Sequence, residues 1–371
     1  MSERMTRRDA LMRTAAVLTP SLAPLSFAQA QDDASKKLGW AIVGIGGLSM
    51  GQILPGFAEC TKSRVTALVS GSPAKAKEQA EKYGAKRVYH YDNYDNIKSD
   101  PDIDVVYIVL PNGMHAEYTI RALNAGKHVL CEKPMANTPE ECEAMIRAAR
   151  RNNRKLMIAY RCQYEPYNRA AIEICRTGQI GKLKTIVSDH GFRIGDPSQW
   201  RLNKKLAGGG SLMDIGIYSL QAARYLTGEE PTEVEALSYS TPNDPRFKEV
   251  EETIHFMLRF PSGTLANLTS SYGYSGANRI RVIGDLGFVD MEPATSYGGI
   301  RLRMAGKNGY EEKKFAEKNQ FGIEMDYFSD CILNKKEPKT AGEEGLRDVK
   351  IMMAIYEAAR TGGRVKLTGE K

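Results

Sequence analysis

The sequence has no CxxC pair, no finger-like spacing of cysteine and histidine, no internal repeat and no apolar run long enough to cross a bilayer. Its six cysteines, Cys60, Cys131, Cys142, Cys162, Cys175 and Cys331, are scattered. Such spacing builds neither a zinc site nor an evident disulfide framework, so no metal is expected. Cys131 and Cys162 sit in or beside apolar runs and read as packed thiols. The apolar stretch over 15–27 is interrupted by Pro20 and Pro24 and is shorter than the roughly 20 residues a span requires. Stable membrane association is therefore not expected. The formal net charge is +7, but lysine and arginine are interspersed with acids, which leaves no nucleic-acid face.

What is there begins with an address. Arg7-Arg8 in a polar start, a weakly apolar region and Ala28-Gln29-Ala30 predict a signal peptide over 1–30 of the twin-arginine kind. Partnership with the twin-arginine machinery and export of a folded protein to the periplasm follow from that reading. About 340 residues remain, enough for two domains at about 100–200 residues each.

Apolar runs ending in glycine, proline or charge predict strands at 38–43, 64–69, 105–110, 128–131 and 156–160. Between them, helices are predicted at 53–60, 74–83, 116–125 and 139–152. This alternation implies right-handed crossovers and an α/β, doubly wound parallel Rossmann sheet over 31–160. The remainder, 161–371, is predicted as an α+β domain. A helix over 167–176 leads to longer strands at 184–190, 233–240, 252–259, 264–271, 279–283 and 287–291. These suggest a large, mostly antiparallel open sheet whose outer face could serve a homo-oligomer. Helices are predicted at 214–226 and 345–360, the last returning to pack near the first domain.

Gly44-Ile45-Gly46-Gly47-Leu48-Ser49 closes the first strand. Gly44 permits the strand-to-helix turn, and Gly46 lets backbone approach a pyrophosphate at a helix N-terminus. Ser49 stands where a third glycine is usual. The second strand ends Ser70-Gly71-Ser72 without the carboxylate that binds an NAD ribose, and Lys75 follows; two hydroxyls and a lysine suit a 2′-phosphate, hence NADP. Tyr91, Leu110, Pro111, Asn112, His115 and Glu132 are further candidates for contact with the cofactor. Leu110-Pro111-Asn112 ends the third predicted strand and Glu132-Lys133-Pro134 the fourth, at the strand ends where open α/β folds bind ligands. The Lys133 amine, beside a cationic nicotinamide, would share a proton with a substrate hydroxyl.

The runs Leu130-Cys131-Glu132-Lys133-Pro134-Met135, Tyr160-Arg161-Cys162, Trp200-Arg201-Leu202 and Gly208-Gly209-Gly210-Ser211-Leu212-Met213-Asp214-Ile215-Gly216-Ile217-Tyr218 resemble the glucose–fructose oxidoreductase and inositol dehydrogenase family of sugar-oxidising enzymes. The resemblance implies that Asp214 and Tyr218 face a sugar, with tyrosine in place of the more common histidine. It further implies that Trp200 and Arg201 close over the cofactor and that Arg161, Tyr164 and Tyr297 border the sugar pocket. Four-residue spacing puts Asp214 and Tyr218 on one helix face. A phenol is a poor base at neutral pH unless its pKa is lowered, a task expected of Lys133.

The expected reaction takes an aldose to its lactone with tightly held NADP, and passes the hydride to a second sugar, either another aldose or fructose. An aldose 1-dehydrogenase with exchanging cofactor and a non-catalytic sugar sensor are the alternatives. Relatives of the glucose–fructose type carry a long N-terminal arm that helps bury the cofactor. Here only Gln31 to Lys37 separate the expected cleavage point from the first strand.

Overall fold

Leu38–Val43 (β1) is apolar and buried at every position, as a strand covered on both faces should be. The computed structural model describes residues 37–367; the segment expected to be a signal peptide lies outside the described residues. After β1 come a helical turn, Ser49–Ile53, a single α-turn, Leu54–Gly56 (α1), and Phe57–Glu59. The chain continues through β2 (Ser63–Val69), α2 (Pro73–Tyr83), β3 (Arg87–Tyr89) and β4 (Val105–Ile108). It then forms α3 (His115–Asn124), β5 (His128–Glu132), α4 (Pro139–Arg151) and β6 (Leu156–Ala159). Helix α4 starts where its sequence says it should: Pro139 occupies the first turn, and Thr138 and Glu141 form a reciprocal capping box.

The strands are parallel in the order β3-β2-β1-β4-β5-β6. Five of these strands are predicted from sequence. The sixth, β3, has three residues, two of them exposed, and carries no apolar pattern to reveal it. Strand order reverses between β1 and β4, and the loops after those two strands diverge to open a crevice.

The second sheet is built from β7 (Leu183–Gly191), β8 (Glu233–Tyr239), β9 (Thr253–Arg259), β10 (Leu265–Ser271), β11 (Ala277–Gly284), β12 (Phe288–Met291), β13 (Leu302–Gly306), β14 (Gly309–Lys313) and β15 (Val365–Lys366). Their order is β14-β13-β12-β11-β7-β10-β9-β8-β15. All pairs are antiparallel except β7 with β10. Strand β9 alternates buried with less buried residues, as expected of a sheet with one face packed. On the other face Leu237 is 73% and Tyr239 58% exposed.

The helices of this half are α5 (Pro166–Arg176), the short α6 (Lys204–Ala207), α7 (Ile217–Thr227), α8 (Gln320–Leu333) and α9 (Gly342–Thr361). Leu212–Gly216 runs directly into α7. The last two helices lie against the first sheet. Helix α8, which the sequence analysis does not identify, puts Phe328 edge-on to Trp40 and accepts a hydrogen bond from the Trp40 indole through Ser329. Just ahead of α9, the Thr340 carbonyl accepts from the Ile158 amide at 2.8 Å. One apolar core runs continuously from beneath the first sheet to the packed face of the second.

Candidate active site

Gly44 has φ +97°, and a β-carbon there would lie 2.3 Å from the Val109 carbonyl oxygen; only glycine meets both demands. The turn is tied by Ser49, whose hydroxyl donates to the Gly44 carbonyl. Ser49 is thus a buried brace, which explains why the third glycine is dispensable. In front of Gly46 and Gly47 there is open space, with no atom within 4 Å of where a β-carbon would stand. Exposed main chain there can approach a ligand closely.

The cleft beyond this turn has a volume of about 800 Å³, within the range of about 300–1,000 Å³ common for small-molecule sites. Its first wall comprises Gly44, Gly46, Gly47 and Leu48, then Ser70 and Tyr91, then Leu110, Pro111 and Asn112. Glu132, Lys133, Arg161, Trp200, Arg201, Asp214, Tyr218 and Tyr297 form the remainder of the sequence-derived lining. The residues present suit a nicotinamide dinucleotide: a glycine turn with free backbone, no carboxylate at Ser70-Gly71-Ser72, and polar groups converging at the far end.

Four candidates lie elsewhere. Lys75 is exposed on α2 and is not among the residues lining the cleft. Gly71 packs beside the Tyr91 ring, 3.1 Å from where a β-carbon would stand. His115 is fully buried and bridges the Leu110 and Pro134 carbonyls, each at 2.8 Å. It tethers the loop after β4 to the turn after β5. Burial holds its pKa below the usual histidine value, against the two carbonyl contacts, which favour the protonated ring. Tyr164 points the other way, into the junction with α8, where its hydroxyl meets Thr340 at 2.9 Å and its ring packs on Tyr327.

The reactive wall is a network of coupled groups. Lys133 donates from Nζ to the Asp214 carbonyl at 2.5 Å and lies 3.8 Å from the Asp214 carboxylate. That carboxylate accepts from Arg201 at 2.8 Å and from the Tyr272 hydroxyl at 3.2 Å. Burial alone would raise the Asp214 pKa, but Arg201 and Lys133 together hold it below the ordinary aspartate value. Behind Lys133, the buried Glu132 accepts from the Tyr107 hydroxyl at 2.7 Å. Desolvation still raises its pKa.

Tyr218 corrects one expectation. Lys133 sits 4.8 Å above its ring centroid, occupied with Asp214. Burial pushes the phenol well above its normal range, and the Arg161 guanidinium is the strongest influence opposing it. Sequence reasoning also missed Tyr272, Asn278, Thr295 and Phe321. Asn278 and Thr295 come from β11 and the loop after β12, where nothing in the local sequence marks a site. Phe321 opens the unpredicted helix α8.

Residues 38–160 match the oxidoreductase family with NAD-binding Rossmann fold, and 168–290 match the GFO/IDH/MocA C-terminal domain. A solved aldose-aldose oxidoreductase from Caulobacter crescentus, complexed with glycerol, is 51% identical, with a TM-score of 0.87 over 90% of this chain and 100% of that one. D-xylose 1-dehydrogenase [NADP(+)] of Haloarcula marismortui is 32% identical over 349 residues, 91% of this chain and 96% of the relative. D-glucoside 3-dehydrogenase of Escherichia coli is 28% identical, covering 83% and 92%. With both halves matched in order and a cleft lined as described, the chain belongs to the GFO/IDH/MocA family of oxidoreductases.

Proposed function

We propose that the protein is a periplasmic aldose oxidoreductase that retains NADP through turnover, oxidises an aldose to its lactone and passes the hydride to a second sugar. The observation that carries this is the convergence of Lys133, Asp214 and Tyr218 at the far end of the cleft that begins at the glycine turn. The oxidative half removes a proton from the anomeric hydroxyl and a hydride from its carbon. A nicotinamide held there would supply the two-electron chemistry, accepting hydride in one half-reaction and donating it in the other. Tyr218, which must first lose its own proton because burial favours the neutral phenol, takes the hydroxyl proton as the tyrosinate and later gives it back. Lys133, fixed by the Asp214 main chain, donates to the sugar oxygen, and the Asp214 carboxylate orients a neighbouring hydroxyl. Trp200, with Arg201 stacked at 4.7 Å, covers the site. Retention of cofactor suits a compartment without a nicotinamide pool, and the Arg7-Arg8 start supports folded export. The exposed Leu237 and Tyr239 support a homo-oligomer through the outer sheet face.

Incubating the as-purified enzyme with glucose alone tests the reaction. Gluconolactone and sorbitol in equal amounts without added cofactor are the expected products; a requirement for fructose would reassign the acceptor. Tyr218→Phe and Lys133→Met should each abolish the reaction, and full activity in either would overturn the roles given. The similarity to D-xylose 1-dehydrogenase [NADP(+)] favours one other reading, an aldose 1-dehydrogenase that releases its cofactor. Protein that purifies without nicotinamide and turns over only with added NADP would decide for it.

A further inference from the structure

Arg161 is buried, 6% exposed. Its guanidinium donates to the Gln320 side-chain oxygen and to the Thr295 carbonyl, each at 2.5 Å. Both partners are neutral, and among the described residues no carboxylate forms an ion pair with it. The buried carboxyl groups of Glu132 and Glu324 feel its charge, yet burial raises the pKa of both; a buried cation so placed favours any neighbouring group that can become negative. The guanidinium carbon lies 5.0 Å from the Tyr218 ring centroid, 4.7 Å from that of Tyr297 and 6.0 Å from that of Phe321. Of the two phenols, Tyr218 is the one beside Lys133 and Asp214.

We propose that Arg161 is the positioning cation of the proton-transfer site: anchored by Thr295 and Gln320, it is held against Tyr218 to stabilise the tyrosinate, while Lys133 serves Asp214. This rests on the proton-transfer role given to Tyr218 in the proposed function. The step is a proton transfer alone. The sugar O–H bond breaks, the proton moves to the tyrosinate oxygen, and the reductive half returns it to the second sugar. Apart from Lys133, every other group facing Tyr218 either opposes ionisation or is neutral. Glu132 and Cys162 raise its pKa, and Tyr297 is a second phenol. His190 is stacked at 5.8 Å with a pKa driven down to about 3 by burial and by Arg161, so it adds no charge. Lys133 lies as close to the ring as Arg161 does, but its charge is paired with Asp214.

The experiment replaces Tyr218 with a trifluorinated tyrosine, whose phenol is intrinsically more acidic, and follows its ¹⁹F shift against pH. A unit charge about 5 Å away in an effective dielectric of about 20 moves such a midpoint by about two pH units. Arg161→Met should raise the midpoint by that amount, and Lys133→Met by less than half of it. In Arg161→Met with ordinary Tyr218, kcat at neutral pH should fall about 100-fold, and the fluorinated tyrosine should restore part of the loss. An unchanged midpoint in Arg161→Met would overturn the proposal. Should that variant not fold, a rise of two pH units in Lys133→Met would overturn it equally. The ¹⁹F titration needs no sugar, so failure of the proposed reaction would leave its outcome readable.

Discussion

The two walls of the cleft are built in opposite ways. The wall after β1 and β4 is main chain: a glycine with positive φ, two glycines facing open space, and a buried histidine holding two loops by their carbonyls. The wall opposite is side chain: Lys133, Asp214, Arg201, Tyr272, Tyr218 and Arg161, drawn from five separate segments and coupled by charge. Main chain recognises what most dinucleotides share, whereas the coupled side chains decide which group reacts. If this contrast is right, damage to the first wall should appear in binding and folding. Damage to the second should appear in turnover.

The largest effect is expected at the first wall. Gly44→Val meets the Val109 carbonyl and an unfavourable φ together. Strain and overpacking sum to about 2–6 kcal/mol. Thermal unfolding and NADP titration should show a large loss of stability and of cofactor affinity together. A variant that kept its melting temperature but lost turnover would break the comparison.

Next comes Asp214→Asn, which leaves Arg201 and Lys133 without their shared anion. We expect kcat to fall about 100-fold, equivalent to about 2.7 kcal/mol, with NADP affinity changed less than turnover. Because the carboxyl is held below the ordinary aspartate value, the native enzyme should show no loss of activity from this group between pH 5 and 7. Steady-state pH profiles of both proteins provide the check.

Both sheets share a weakness toward acid. His128, in the first sheet, has its pKa lowered to about 4 by burial and by Arg154 and Lys155. His190, in the second, is at about 3. The unfolded chain binds these protons as pH falls through about 6.5 while the folded one refuses them, so stability drops on acidification. The loss begins near that pH and levels off only at the folded values. At pH 5 it amounts to about 2 kcal/mol per histidine. Melting curves at pH 7 and 5 should show it, and His128→Asn should remove one share.

The same contrast explains what could be read in advance. The glycine turn and the Glu132-Lys133-Pro134 end are local, and so is the alternation of strands with helices; each is fixed by neighbours in sequence. Asp214 and Tyr218 were legible as a helix-face pair, and the resemblance supplied what they face. The Arg161–Tyr218 pairing was not legible, because it depends on Thr295 and Gln320, more than 130 residues away. Helix α8 escaped because its apolar residues meet the first sheet across a long sequence separation. Tyr164 was expected at the sugar pocket from the family resemblance. Which way its side chain turned was set by Thr340, far down the chain.

The smallest effects concern the 2′ end of the cofactor, where the sequence pointed to two residues and the structure keeps one in the cleft. Ser70 lines the cleft and its hydroxyl accepts from the Ser72 amide at 3.1 Å. Lys75 stands in solvent on α2, in a position where its charge is screened. Ser70→Asp places a carboxylate where a 2′-phosphate would lie and should weaken NADP about tenfold, or about 1.4 kcal/mol, relative to NAD. Lys75→Ala should change NADP affinity less than about twofold. Fluorescence titration of both cofactors against each variant separates the two positions. A tenfold loss in Lys75→Ala would mean that α2 swings toward the bound phosphate, and that the main-chain wall recruits a side chain after all.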